Sequence, residues 1–225
     1  MDAVEREMPV FPLGGCVLPG DPLSLTLFED RYLQMIAEVL AADGVFATVL
    51  ISEGSEVGGA DRRFDHGALV EVLEAVSAGP RVLVRGVARD VWSVTRWLDD
   101  DPFPRAIGSV SARDQIEGAT RFDVASALSL LAQSVVSLRA LIAERTGTPG
   151  STSTAALGRV AAGRWWDERV TSDQLWGALW TVAGSVPCGP FDRHGLLTPG
   201  TLVERVRRLR GVIEHVDEVA RFRFG

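Results

Sequence analysis

The chain has 225 residues, 46% of them hydrophobic and 24% charged, so its composition excludes disorder or a fibre and leaves roughly 70% of the unfolded surface available for burial. A net charge of −7, with a pI near 5.0, disfavours nucleic acid, whose binders carry a dense basic field. Every cationic side chain is arginine, and the absence of lysine removes a Walker A loop, a Ser–Lys dyad and Schiff-base chemistry.

The first half reads as strands. Pro9 to Leu13 and the alternating run LSLTLF (23–28) flank a turn at Pro19-Gly20-Asp21-Pro22. In EDRYLQMIAEVLAADG the period becomes helical, with Tyr32, Met35, Ile36, Val39 and Leu40 on one face and Gly44 placed to stop the helix. Strand patterns return in VFATVLI (45–51), ALVEVLEAV (68–76), RVLVRGVARDVWSVTRWL (81–98) and RAIGSVSA (105–112). The separators are EGSEVGGADRR, SAGP and DDDPFP, and the Gly-rich GSEVGG (54–59) lacks the order of a phosphate loop. Several short strands with one inserted helix predict a barrel-like β domain over residues 1–117.

From about residue 118 to the end the period is near 3.6, which predicts a helical bundle subdomain over 118–225. Leu128, Leu131, Val135, Leu138 and Ile142 stripe a helix over 121–145, and TGTPGSTST is its exit. Further helices are expected over 155–168, 172–186 and 199–221. The last carries Leu202, Val206, Leu209, Ile213, Val216 and Ala220 behind a Thr198-Pro199 cap. Arg205, Arg207, Arg208 and Arg210 on that helix could bind an acidic partner. Their interleaving with apolar residues, and the neighbours Glu204 and Glu214, favour a solvated face.

The N-terminal MDAVEREMPVF lacks the order of a secretory signal, and no apolar run reaches the roughly 18–20 residues that span a bilayer. A cytoplasmic chain with no membrane partner is expected. Cys16 and Cys188 suggest structural thiols rather than a zinc site or a disulfide framework. His66, His194 and His215 show no ligand spacing, and Asp99 to Asp101 read as a solvated turn, so no metal or cofactor is expected. Ser185, Asp192 and His194 could make a hydrolytic triad, but no GxSxG elbow accompanies them. Trp176 and Trp180, at i and i+4, read as core. Phe64, Trp92, Trp97 and Phe103, at strand ends and loops over 54–64 and 92–103, are candidates for a groove that binds peptide.

FPLGGCVLPGDPLSLTLFEDRYLQMI resembles the start of the substrate-binding N-terminal domain of ATP-dependent Lon proteases. The matching positions are Phe11, Pro12, Leu13, Leu18, Pro19, Gly20, Leu25, Phe28, Glu29, Arg31 and Tyr32. A looser likeness runs to about residue 115, with Val87 and Ala88 departing from the family's usual details, and LLTPGTLVERVRRLRGVI is similar to its closing helix. The resemblance implies an α+β fold: a PUA-like β pseudobarrel with an inserted short helix, then a C-terminal helical bundle. It also implies a non-catalytic module, without ATPase or protease, that binds unfolded or exposed apolar polypeptide, with a protease or chaperone as a further partner. The alternative is a PUA-like domain that binds a small ligand or RNA. For the Phe-Glu-Asp-Arg-Tyr step a fold-fixing role is expected: Glu29 complements the helix dipole, Phe28 staples the entering chain, and Arg31 and Tyr32 tie helix to barrel.

Overall fold

The computed structural model describes residues 4–54, 61–113, 116–147 and 154–224. The chain divides into two compact units, Met1–Ser111 with Leu197–Pro199, and Ala112–Leu196 with Gly200–Gly225.

In the first unit β1 (Arg6–Leu13), β2 (Pro22–Leu27), β3 (Val45–Glu53), β4 (Arg62–Ala78), β5 (Arg81–Trp97) and β6 (Arg105–Val110) form one mixed sheet, in the order β2-β5-β4-β3-β1-β6. Among the described residues only β1 and β3 pair in parallel, and the crossover such a pair requires is supplied by β2 and helix α1 (Asp30–Ala41). β6 pairs with β1 on one side and with the far half of β5 on the other, so the sheet curls back on itself. β2 stays outside that ring, which makes a pseudobarrel with an open edge rather than a closed barrel. Register shifts at Leu69/Val70 and Val72/Glu74 bend the long β4–β5 hairpin.

Alternation along β1 supplies two cores. Phe11 and Leu13 join Tyr32, Met35, Ile36 and Val39 of α1, while Met8 and Val10 join Val49, Leu69 and Trp92. Leu40, expected on the buried face of α1, is 50% exposed, because it lies roughly 80° round the helix from Tyr32. β4 begins at Arg62, inside a stretch expected to be loop, and most of GSEVGG lies outside the described residues.

The second unit holds α2 (Arg121–Thr146), α3 (Thr154–Ala161), α4 (Ser172–Ser185), α5 (Pro190–Leu197) and α6 (Leu202–Phe224). α2 is long and apolar enough to cross a membrane by length and composition alone. Its Val124, Leu128, Leu131, Val135 and Leu138 are buried, and it packs on α3, α4 and α6. α3 is shorter than expected, since the chain turns at Gly163 and the indoles of Trp165 and Trp166 donate to Ser129 Oγ (3.0 and 3.4 Å). α5 is an element the sequence pattern did not predict.

α6 starts at Leu202 rather than Pro199. Thr201 N–H donates to Glu204 Oε2 (2.8 Å) and Glu204 N–H to Thr201 Oγ1 (3.2 Å), a reciprocal Thr-x-x-Glu cap that supplants the one expected at Thr198. Trp176 and Trp180 meet edge-on at 5.4 Å between centroids. Arg205, expected with its neighbours on a solvated face, is 1% exposed. Its guanidinium lies 5.4 and 5.8 Å from the two indole centroids and donates from Nη1 to Leu196 O (2.9 Å). Burial pulls its pKa down to about 10.

Candidate polypeptide-binding surface

Leu18-Pro19-Gly20-Asp21 forms the turn between β1 and β2. Asp21 N–H donates to Leu18 O (2.9 Å), Pro19 presets the first central position, and Gly20 adopts φ 92, which a side chain would strain. Gly20 N–H donates to Ala88 O (2.8 Å) and Ala88 N–H to Asp21 O (3.0 Å), so the turn is sewn to β5. Pro12 and Pro19 are buried beside Phe11, Leu13 and Leu18.

Glu29 occupies the N-cap of α1 without a side-chain cap bond and instead lies 3.0 Å from Arg31 Nη2, an ion pair lacking hydrogen-bond geometry. The Arg31 guanidinium sits 4.5 Å over the Tyr32 ring, which is buried and packs on Phe11 at 4.4 Å. Burial, the largest influence on Tyr32, pushes its phenol pKa up to about 12. Phe28, expected to staple the entering chain, is 53% exposed. The other contacts of this motif hold α1 to the sheet.

Of the four aromatic candidates, two have no surface to offer. Trp92 and Phe103 are both 0% exposed, which corrects the expectation that they line a groove. The reason for Trp92 is local: Gly108 on β6 has no side chain, and a Cβ there would stand 2.6 Å from the indole and 2.2 Å from Ser93 O. Phe103 joins the core of α1, with the Arg105 guanidinium 4.2 Å over its ring.

Trp97 and Phe64 are half-buried. Trp97 Nε1 donates to Asp65 Oδ1 (2.8 Å), and the Arg63 guanidinium lies 5.3 Å over its ring. Arg63 is clamped by Asp61 (Nε to Oδ2, 2.5 Å) and by Asp100 (Nη1 to Oδ1, 3.0 Å). Burial opposes charge on Asp61, but the hydrogen bond and charge of Arg63 outweigh it and hold the carboxyl below the usual range. One ring face of Trp97 is therefore committed to an internal ion-pair cluster.

The exposed apolar surface lies elsewhere on this unit. Cross-strand partners share a face. The row Leu25–Val84–Ala75 points to the core, so the next row, Thr26–Leu83–Val76, points away from it. Val76 is 47% exposed, Leu83 44%, and Leu73, at the register shift after Val72, 61%. Beside them run the cross-strand ion pairs Arg85–Glu74 (2.5 Å) and Arg89–Glu71 (2.6 Å). No described strand pairs with the outer edge of β2. An apolar strip one strand in from a free edge can take a polypeptide through backbone hydrogen bonds at the edge and side-chain contact on the face. These residues were missed in the sequence. No local signal singled them out: Val72-Leu73 is one of three places in ALVEVLEAV where apolar residues adjoin.

The hydrolytic candidates are used locally. Ser185 Oγ donates to Thr181 O (2.7 Å), Asp192 Oδ2 accepts from Gly189 N–H (3.3 Å), and His194 is buried. Among the described residues no cluster of His, Cys, Asp and Glu could hold a metal ion.

The sequence profile of the ATP-dependent protease La (LON) substrate-binding domain matches residues 7–215. The chain belongs to this Lon substrate-binding domain family. No curated protein gives a significant match. Two solved structures share the fold. A Lon N-terminal domain protein from Xanthomonas campestris aligns with a TM-score of 0.57 and 19% identity over 92% of this chain and 98% of its own. The N-terminal domain of a Mycobacterium avium complex Lon protease aligns with a TM-score of 0.57 and 15% identity over 93% and 98%. The α+β architecture, a mixed sheet followed by helices, is thus that of Lon N-terminal domains. Family membership supports a polypeptide-binding module.

Proposed function

We propose that this Lon-type domain is a non-catalytic holdase or adaptor that takes exposed apolar segments of unfolded proteins on the outer face of β2, β5 and β4. The observation that carries the reading is the apolar strip Leu73, Val76 and Leu83 on β4 and β5, separated from the unpaired edge of β2 by the one row position Thr26. An unfolded segment adds as a further strand beside β2. Its amides supply affinity without regard to sequence, and the chain continuing from that strand folds over Thr26 to lay apolar side chains on the strip. Apolar contact is insensitive to salt, whereas the flanking ion pairs are exposed and contribute little.

The test is fluorescence anisotropy of labelled unfolded polypeptides at two salt concentrations, without nucleotide, alongside one peptide with alternate amides N-methylated. Saturable, salt-tolerant binding that N-methylation abolishes is expected. Equal binding of the methylated peptide removes strand addition, and affinity that falls steeply with salt favours a polyanion instead.

A further inference from the structure

Within the helical unit, α2 and α6 form an open groove of about 250 Å³. Its apolar lining comes from Val124 and Ala127 of α2 and from Val203 and Val206 of α6. Ala119 and the carboxylate-bearing Asp123 also line it, and Arg207 and Arg210, both exposed, complete the lining at the i and i+3 positions of α6. Neither makes an ion pair or hydrogen bond with a described residue. The nearby carboxylates are already engaged. Asp123 accepts from Thr120 N–H and Oγ–H (2.9 and 2.7 Å), and Glu204 accepts from Thr201 N–H (2.8 Å). The Thr201 backbone bond and, to a smaller extent, the charge of Arg207 hold the Glu204 carboxyl below its usual range. In a chain of net charge −7, two guanidinium groups against the single lining carboxylate of Asp123, itself capped by Thr120, still make this apolar hollow locally positive.

We infer that this groove binds the C-terminus of a polypeptide that ends in an apolar residue, with Arg207 and Arg210 on the free carboxylate. Only at a chain end do a carboxylate and an apolar side chain branch from the same Cα, matching a charged rim and an apolar floor this close together. The volume argues the same way. It falls below the roughly 300–1,000 Å³ of pockets that enclose a whole small molecule, and suits the side chain of one terminal residue. Arginine is the suited cation, since its planar fork can hold a carboxylate by two parallel hydrogen bonds. The inference rests on the polypeptide-binding reading and adds to it a preference for chain ends.

The experiment compares an N-terminally labelled apolar peptide without acidic side chains in two forms, free acid and C-terminal amide, by anisotropy on the full chain. The free acid is expected to bind about tenfold tighter, and added salt should narrow the gap because the arginines are exposed. Arg207→Ala/Arg210→Ala should erase the preference and leave affinity for the amide unchanged; Arg207→Gln/Arg210→Gln repeats the test with the side-chain stems kept. Equal affinity of the wild-type protein for acid and amide overturns the inference while leaving polypeptide binding intact. Failure of both forms to bind overturns both. Displacement of the peptide acid by decanoate at equal or lower concentration reassigns the groove to lipid acids and likewise overturns it.

Discussion

Val76 and Leu83 are direct partners across the β4–β5 ladder, and both remain nearly half exposed on a face that turns away from the core. Apolar β-branched and γ-branched side chains facing each other on a strand pair normally stabilise a hairpin by covering one another. Here they also leave an uncovered strip, one strand in from the free edge of β2.

If that strip binds polypeptide, Val76→Arg/Leu83→Arg should weaken binding of an unfolded protein by tenfold or more. Stability should hardly change, since exposed substitutions usually stay within about 0.5 kcal/mol. Anisotropy and urea melts together decide it: unchanged affinity in a folded double variant would move the site off this face. Trp97→Ala serves as the contrast. Its indole is bound to Asp65 and covered by Arg63, so loss of stability is expected without selective loss of binding.

Gly108→Ala should destabilise the first unit by roughly 3 kcal/mol, through the clash of a Cβ with Ser93 O and the Trp92 ring. The backbone carbonyl cannot yield as a flexible side-chain end would. A urea midpoint equal to that of the parent protein would show that β5 and β6 separate more easily than their pairing indicates.

Tyr32 is the single tyrosine, so ultraviolet titration of phenolate reads it without overlap from another. An apparent pKa of about 12 is expected in the folded protein, against the ordinary value of 10.0 in denaturant. Because the folded value is raised, the stabilisation is fully present below pH 10.0 and is lost as pH rises toward 12. Titration at the ordinary value in the folded state would mean that solvent reaches the phenol.

Asp61 gives the opposite limb. Its folded pKa is depressed, so its contribution is present above the ordinary 3.8 and disappears as pH falls through the lower folded value. Asp61→Asn should cost roughly 2 kcal/mol at neutral pH, because Arg63 loses a charged hydrogen-bond partner. It should also flatten the acid side of the stability profile. A variant with the parent's full acid sensitivity would assign that sensitivity to other carboxylates.

By itself the sequence determined whatever depends on neighbours in the chain. Leu-Pro-Gly-Asp specified its turn, because φ 92 requires glycine where it stands. The 3.6 period specified the buried stripes of α1 and α2. Phe11, Pro12, Leu13, Glu29, Arg31 and Tyr32, in order and spacing, carried the likeness to Lon N-terminal domains. Thr201-x-x-Glu204 was equally legible, yet the neighbouring Thr198-Pro199 offered a rival cap, and only the Thr201–Glu204 hydrogen bonds separate the two.

Which side chains meet water was decided by the tertiary structure, since exposure depends on partners far away in the chain. Trp92 looks like a groove residue until Gly108, on another strand, opens the space that buries it. Arg205 and Arg207 are two residues apart on one helix, and α6 turns the first into the tryptophan pair and the second to solvent. Leu73, Val76 and Leu83 read as ordinary strand residues. The bulge after Val72 and the pairing with β2 set them on the outer face, and no local pattern encodes a face that nothing covers.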